Sequence, residues 1–265
     1  MGFVRHYLLA VQFFTRIPVT GKLAHWVGYS PAMLRASAAH FPGVGWLVGA
    51  LVAGLSAALF VLLPGGPMAP LVVAALGTVA SVLLTGAFHE DGLADVADGL
   101  GGSAERGRVL EIMKDSRVGA FGALALVLAV LSKVALLALI GAVDPAAMVW
   151  GLFAAHVVSR SFPLLLIRAM VHVGHDAGSK SKPLADRISL ASLLVAAAWL
   201  AAALLLVVVY GEGVGLAPAL ACATLAWLWM WRWFHRRLRG FTGDCLGATQ
   251  QVCEVAFYFG LALGL

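Results

Sequence analysis

Residues 119–141 read GAFGALALVLAVLSKVALLALIG, and Lys133 is the only charged residue among them. A helix needs about 20 mostly apolar residues to cross the hydrocarbon core of a bilayer, so this segment is long enough to span a membrane. The sequence therefore predicts an all-α fold, a polytopic integral membrane bundle of about seven transmembrane helices. The other six candidate spans cover residues 42–63, 69–88, 146–168, 189–210, 216–234 and, as a shorter segment, 251–265.

The composition of the whole chain supports this prediction. Of its 265 residues, 62% are hydrophobic and only 12% are charged, and the mean hydropathy is +0.94. Such a chain is not a soluble globule, a disordered segment or a nucleic-acid-binding domain. Residues 3–20 contain an apolar stretch too short to cross, which predicts an interfacial or re-entrant helix. We interpret residues 1–265 as a single membrane-embedded domain, and a homo-oligomer is compatible with this pattern.

The basic residues predict the orientation of the bundle. They lie before the first span and in alternate connections, where Arg106, Lys180 and Arg237 are examples, whereas residues 64–68, 142–145 and 211–215 contain no lysine or arginine. By the positive-inside rule the basic face is cytoplasmic. We therefore expect a bacterial inner-membrane protein whose active site faces the cytoplasm and whose C-terminus points outward.

Acidic residues are concentrated at the end of the second candidate span. Asp91, Asp95 and Asp98 lie at i, i+4 and i+7, which places them on one stripe of a helix. Like charges at that spacing destabilise a helix unless a cation lies among them, and hard carboxylate ligands suit Mg²⁺ or Mn²⁺ rather than zinc. We predict a magnesium site with these three ligands and a phosphate ester or diphosphate substrate. The alternative is an acidic helix end that nearby arginines neutralise.

Basic residues near the acidic stripe are candidates for binding the phosphate. Lys114 and Arg117 follow the stripe in the same connection, and Arg160 lies inside a candidate span. Lys133 is also within a span, where a charge is costly unless it faces a polar interior. For Lys133, a structural ion pair is an equally good interpretation.

Several ordered motifs carry a resemblance to a known family. The chain resembles the cobalamin synthase family, the adenosylcobinamide-GDP ribazoletransferases, over nearly its whole length. The motifs are FTRIP at 14–18, FPGVG at 41–45, HEDGLADVADG at 89–99, LEIMKDSRVG at 110–119, Ser159-Arg160, and GDCLGA at 243–248 with Glu254.

This resemblance implies an activity. It implies Mg²⁺-dependent transfer of the cobinamide phosphoryl group from adenosylcobinamide-GDP to alpha-ribazole or its 5'-phosphate, with release of GMP. Mg²⁺ would be the cofactor, and the lipid bilayer would be the surroundings of the enzyme. The implied site comprises Asp91, Asp95 and Asp98 as metal ligands, Glu90 as a further ligand or as the base, Lys114, Arg117, Lys133 and Arg160 as substrate-binding cations, and Asp244 reaching the same cavity from another loop.

Two other functions are less consistent with the sequence. A CDP-alcohol phosphotransferase signature begins Asp-Gly-x-x-Ala-Arg, and residues 91–94 fit its start. Asp95 and the later spacing depart from that signature, which disfavours a phospholipid synthase. A transporter would place its charges near the bilayer midplane in broken helices, whereas most acidic residues here lie at one interface.

Overall fold

The computed structural model describes residues 2–174, 188–211 and 214–265. These residues form helices, one 3₁₀ turn at Ala38–His40, and no strand pairing beyond an isolated bridge between His172 and Phe241. The helices are α1 (Gly2–Phe14), α2 (Gly21–Val27), α3 (Pro31–Ser37), α4 (Phe41–Leu62), α5 (Ala69–Thr85), α6 (Phe88–Gly102), α7 (Arg106–Ile112), α8 (Ala120–Val143), α9 (Pro145–Ala169), α10 (Leu190–Tyr210), α11 (Leu216–Arg237) and α12 (Gly243–Leu263).

The helical membrane architecture is confirmed, but the predicted count of seven spans is not. Each predicted segment overlaps a long helix, but the segment predicted at 69–88 is interrupted, because α5 ends at Thr85 and α6 begins at Phe88. By length and hydropathy, four helical stretches in the described part of the chain could cross a membrane: residues 31–62, α8, α9 and α10. The bent pair of α5 and α6 raises the number to five if it is taken as one span. α11 and α12 are not among these stretches, because α11 ends in basic residues and α12 carries acidic and amide side chains.

Helix α9 forms the centre of the bundle. In its candidate span 83% of the residues are buried, compared with 17% in α8 and in α10. The close packing of α4 on α9 depends on Gly45 and Gly49, which lie four residues apart on α4. A Cβ atom on Gly45 would collide with the carbonyl oxygen of His156, and one on Gly49 would lie 3.0 Å from the carbonyl oxygen of Phe153. Small residues at this spacing allow two membrane helices to approach closely.

The N-terminal segment packs onto the bundle. Helix α1 ends at Phe14, earlier than the predicted segment 3–20, and its second half buries Leu9, Ala10, Val11 and Phe14. The backbone N–H of Arg16 then donates to the carbonyl oxygen of Leu84, at 2.7 Å. Residues after α1 are therefore tied to the end of α5. The interfacial position of this segment stays a prediction.

A sharp break separates α5 from α6. The two helices meet at 90°, and the break contains two successive residues in the left-handed region, Gly86 at φ 67° and Ala87 at φ 58°. Any Cβ on Gly86 would overlap the side chain of Arg16. The break turns α6, which carries the acidic stripe, away from the direction of α5.

Connections predicted to be cytoplasmic meet at one end of the bundle. Arg106 Nε donates to the carbonyl oxygen of Leu238 at 2.7 Å, and Arg237 Nη2 donates to that of Ser103 at 2.5 Å. Beyond α9, the N–H of Val173 donates to the carbonyl oxygen of Phe241 at 2.9 Å. These contacts support the predicted grouping of the connections. Lys180, Lys182 and Arg187, which belong to the same prediction, lie outside the described residues.

The break generates a paired stability prediction. Gly86→Ala should lower the melting temperature in detergent, because a non-glycine residue in the left-handed region costs roughly 1–2 kcal/mol and the new methyl group must displace Arg16. Ala87→Gly, at the adjacent position, relieves the same backbone conformation and should leave the melting temperature unchanged or raise it. Thermal unfolding of both variants tests this. An unchanged melting temperature for Gly86→Ala would contradict it.

Candidate active site

The site is built where α6 packs against the start of α12. A Cβ atom on Gly92 of α6 would lie 2.8 Å from the carbonyl oxygen of Asp244, and one on Gly247 would lie 3.2 Å from that of His89. The two backbones are therefore in direct contact. This contact places Asp91 and Asp95, one turn apart on α6, close enough to Asp244 in the first turn of α12 for their charges to interact.

The carboxylates of this group repel one another. Asp91 is exposed, whereas Asp95 and Asp244 are partly buried. Thr242 caps α12 and its hydroxyl donates to Asp244 Oδ2 at 3.2 Å. Asp95 lies on α6, beyond the break that follows the end of α5 at Thr85. Burial, together with the negative charges of Asp244, Asp91 and Asp98, raises the pKa of Asp95 to about 7. A cation placed among these groups would relieve their repulsion.

Asp98 makes contacts of a different kind. Its Oδ2 accepts a hydrogen bond from the N–H of Gly119 at 2.7 Å, and its Oδ1 accepts one from the N–H of Gly122 at 2.8 Å. These are free amides of the first turn of α8, and a carboxylate there is favoured by the helix dipole. Asp98 therefore caps α8 from a neighbouring helix, and its predicted role as a metal ligand stays a prediction.

The donor set fits magnesium by its chemistry. Asp91, Asp95 and Asp244 offer hard oxygen ligands, and Mg²⁺ is usually held by one or two carboxylates, with water and substrate phosphates completing the shell. Throughout the described ranges, no group of three or more His, Cys, Asp or Glu side chains is arranged to hold a metal ion. These residues therefore suit a site that the substrate completes rather than a cage made by the protein alone.

The predicted phosphate-binding residues Lys114 and Arg117 lie on an exposed connection. The side chain of Arg117 is 88% exposed, and its Nη2 lies 2.5 Å from Asp115 Oδ2. Hydrogen bonds from Arg117 lower the pKa of Asp115 to about 2. Two residues after Arg117, the amide of Gly119 binds Asp98, so this connection leads directly to the acidic helix.

Lys133 and Arg160 lie inside the bundle, away from that connection. Lys133 Nζ is 2.6 Å from Glu254 Oε1, and both side chains are almost fully buried. Arg160 Nη1 donates to the carbonyl oxygen of His156 at 2.9 Å and also contacts the Nδ1 atom of that histidine. The structure thus contains the ion pair that was the alternative for Lys133, and the roles of both cations in binding substrate stay predictions.

Sequence reasoning missed a buried polar network around this ion pair. Gln250 Nε2 donates to Glu254 Oε2 at 2.6 Å and to Ser159 Oγ at 3.0 Å, and Tyr258 donates to Glu254 Oε1 at 3.0 Å. The available signal was the position of Gln250, Gln251 and Glu254 in or beside an apolar segment, since polar residues at such depth are a functional hypothesis by default. Four buried atoms around the network have no hydrogen-bond partner among the described residues: His89 Nε2, Glu90 Oε2, His156 Nε2 and Arg160 Nε.

Comparison with known proteins identifies the family. The family model described as cobalamin-5-phosphate synthase matches residues 6–262. The chain belongs to the cobalamin-5-phosphate synthase family. A relative from Albidiferax ferrireducens, named adenosylcobinamide-GDP ribazoletransferase, is 64% identical, and the match covers 99% of each chain. A relative of the same name from Polaromonas naphthalenivorans is 60% identical over 100% of each chain. No solved structure matches the chain.

Membership of the cobalamin-5-phosphate synthase family confirms the resemblance that the motifs predicted. The chain is therefore an enzyme, a transferase of cobalamin biosynthesis, and its apolar helices make it an integral membrane protein.

The carboxylate group predicts a pH-dependent stability. An unperturbed aspartate has a pKa of 3.8, whereas Asp95 in the folded protein has a pKa of about 7. Protonation of Asp95 therefore favours the folded state, so its contribution to stability in metal-free buffer should be fully present below about pH 4 and be lost as the pH rises from about 4 to 7. Asp95→Asn should reduce this fall, and Glu111→Gln, an exposed carboxylate elsewhere, should not. Equal pH profiles of the wild type and Asp95→Asn would refute the prediction.

Proposed function

We propose that the chain transfers the cobinamide phosphoryl group of adenosylcobinamide-GDP to alpha-ribazole or its 5'-phosphate and releases GMP. The observation that carries the proposal is the convergence of Asp91, Asp95 and Asp244 from two helices of this chain. The chain is 64% identical, over 99% of its length, to a protein named adenosylcobinamide-GDP ribazoletransferase. Transfer of a phosphoryl group from a diphosphate donor requires the negative charge at the reacting diphosphate to be neutralised. A group of mutually repelling carboxylates suits that task through a shared divalent cation.

We infer that this cation is Mg²⁺, held by one or two of the carboxylates of Asp91, Asp95 and Asp244 and completed by the substrate, with Asp98 of α6 bound to the amides that begin α8. When bound, Mg²⁺ would neutralise charge on the diphosphate oxygens. The chain itself positions the reactants. Lys114 and Arg117 supply cations beside the acidic helix.

The proposed transfer replaces one phosphorus–oxygen bond with another. A hydroxyl oxygen of the acceptor forms a bond to the phosphorus that carries cobinamide. The bond between that phosphorus and the bridging oxygen breaks, and the electron pair leaves with GMP. The hydroxyl proton passes to a carboxylate of the α6 group. We also propose that this site faces the cytoplasm of a bacterial inner membrane, in accordance with the distribution of lysine and arginine.

Release of GMP is the direct test. Purified protein in detergent, given adenosylcobinamide-GDP and alpha-ribazole, should release GMP with Mg²⁺ and not with a chelator. Asp91→Asn and Asp244→Asn should each lower kcat about a hundredfold or more, because amides are poor Mg²⁺ ligands. Asp144→Asn is the matched control, since Asp144 caps α9 in a connection predicted to lie on the other side of the membrane. No GMP release by the wild type would overturn the proposal.

A second prediction separates a phosphate-binding arginine from a merely exposed one. Arg117 and Arg108 are both exposed, and each forms an ion pair with a nearby carboxylate. If Arg117 contacts the diphosphate, Arg117→Ala should lower kcat/KM for adenosylcobinamide-GDP roughly tenfold to a hundredfold, the effect of losing a charge-assisted hydrogen bond of about 1.5–3 kcal/mol. Arg108→Ala should have little effect. Steady-state kinetics decides the point, and equal parameters for the two variants would exclude Arg117 from the site.

A further inference from the structure

The carboxylate of Glu90 is held at one oxygen only. Glu90 lies on α6 directly before Asp91, and its Oε1 accepts a hydrogen bond from Gln251 Nε2 at 3.1 Å. Its Oε2 is buried and has no hydrogen-bond partner among the described residues. Gln251 belongs to α12 and lies seven residues, or about two turns, after Asp244. The Glu90–Gln251 contact is therefore part of the same α6–α12 interface that brings the aspartates together.

The side chain of Gln251 is itself fixed by the network behind it. Its Nε2 also donates to Gln250 Oε1 at 2.9 Å, and Gln250 Nε2 donates to Glu254 and to Ser159. Each amide nitrogen therefore has two acceptors for its two hydrogens. The network ends at Glu254, whose other oxygen is paired with Lys133. Because all these amide hydrogens are used, neither amide can rotate without losing bonds in a buried environment.

We propose that Gln251 is a positioning residue that clamps α6 to α12 through Glu90 and so sets the rotation of α6 that turns Asp91 and Asp95 toward Asp244. Glu90 acts in this clamp as a hydrogen-bond acceptor. Its side chain is largely buried, and the partner of its Oε1 is an amide, so the clamp needs an oxygen and not a charge. The kinetic part of this inference rests on the proposed function, whereas the structural part does not.

The clamp predicts a particular pattern among four variants. Gln251→Leu removes the donor, and Gln251→Asn shortens the side chain so that it no longer reaches Glu90, which provides a second variant if the first does not fold. Glu90→Gln keeps an acceptor oxygen and should preserve the clamp. Thr249→Val is the matched control, because Thr249 is buried on the same helix and its hydroxyl donates only within α12, to Cys245.

Two measurements test the pattern. In the GMP-release assay, both Gln251 variants should lose tenfold or more in kcat and need several-fold more Mg²⁺ for half-maximal rate, with the KM of the acceptor within about twofold of the wild type. Thr249→Val should stay within about threefold of the wild type in all kinetic terms, and Glu90→Gln is compared by hydrogen exchange alone, because its carboxylate belongs to the implied site. In hydrogen exchange followed by mass spectrometry, deuterium uptake by residues 88–98 should rise several-fold in the Gln251 variants and remain unchanged in the other two.

Each result decides one question. Normal kcat and normal exchange in the Gln251 variants would overturn the clamp. A Glu90→Gln variant in which residues 88–98 exchange as fast as in the Gln251 variants would also overturn it, because it would show that the clamp needs the charge of Glu90. If the wild type released no GMP but the exchange pattern held, the proposed function would fail and the clamp would stand.

Discussion

The close contact between α6 and α12 is the interaction on which the candidate site depends. It exists because Gly92 and Gly247 have no side chains, so the two backbones meet where any larger residue would hold them apart. At its partly exposed end, this contact brings Asp91 and Asp95 close to Asp244, which lies more than a hundred residues further along the chain. Deeper in the bundle the same contact joins Glu90 to an amide network. One helix pair therefore has a partly exposed acidic end and a buried hydrogen-bonded end.

The relation between burial and hydropathy explains why the helix positions were easier to predict than the number of spans. Helices α8 and α10 have a mean span hydropathy of 2.7 and are 17% buried, whereas α9 has 1.4 and is 83% buried. Hydropathy therefore follows exposure on the outside of the bundle. A helix surrounded by other helices can carry polar residues, and α12 does so. Helix α12 is long enough to cross a membrane, but its polar residues make it less apolar than the four candidate spans.

The sequence could place the acidic stripe on a helix but not the partners of each carboxylate. The spacing of Asp91 and Asp95 is local information. The contacts of Asp98 depend on the backbone amides of Gly119 and Gly122, which carry no side-chain signal at all. In the same way, the pairing of Lys133 could not be decided, because its partner Glu254 lies 121 residues further along the chain. Tertiary contacts of this kind depend on how the helices pack, and the periodicity of the sequence does not determine that packing.

The ion pair between Lys133 and Glu254 also has a consequence for how the protein is made. Synthesis proceeds from the N-terminus, so α8 must enter the bilayer with Lys133 before Glu254 exists. A lone lysine at the centre of a membrane helix costs about 2.5–3.5 kcal/mol on insertion scales, and the leucine-rich remainder of α8 has to outweigh that cost. The last helix then arrives with the neutralising charge. Synthesis of α12 and consolidation of the bundle are thereby coupled, and a chain truncated before α12 would retain an uncompensated cation in its interior.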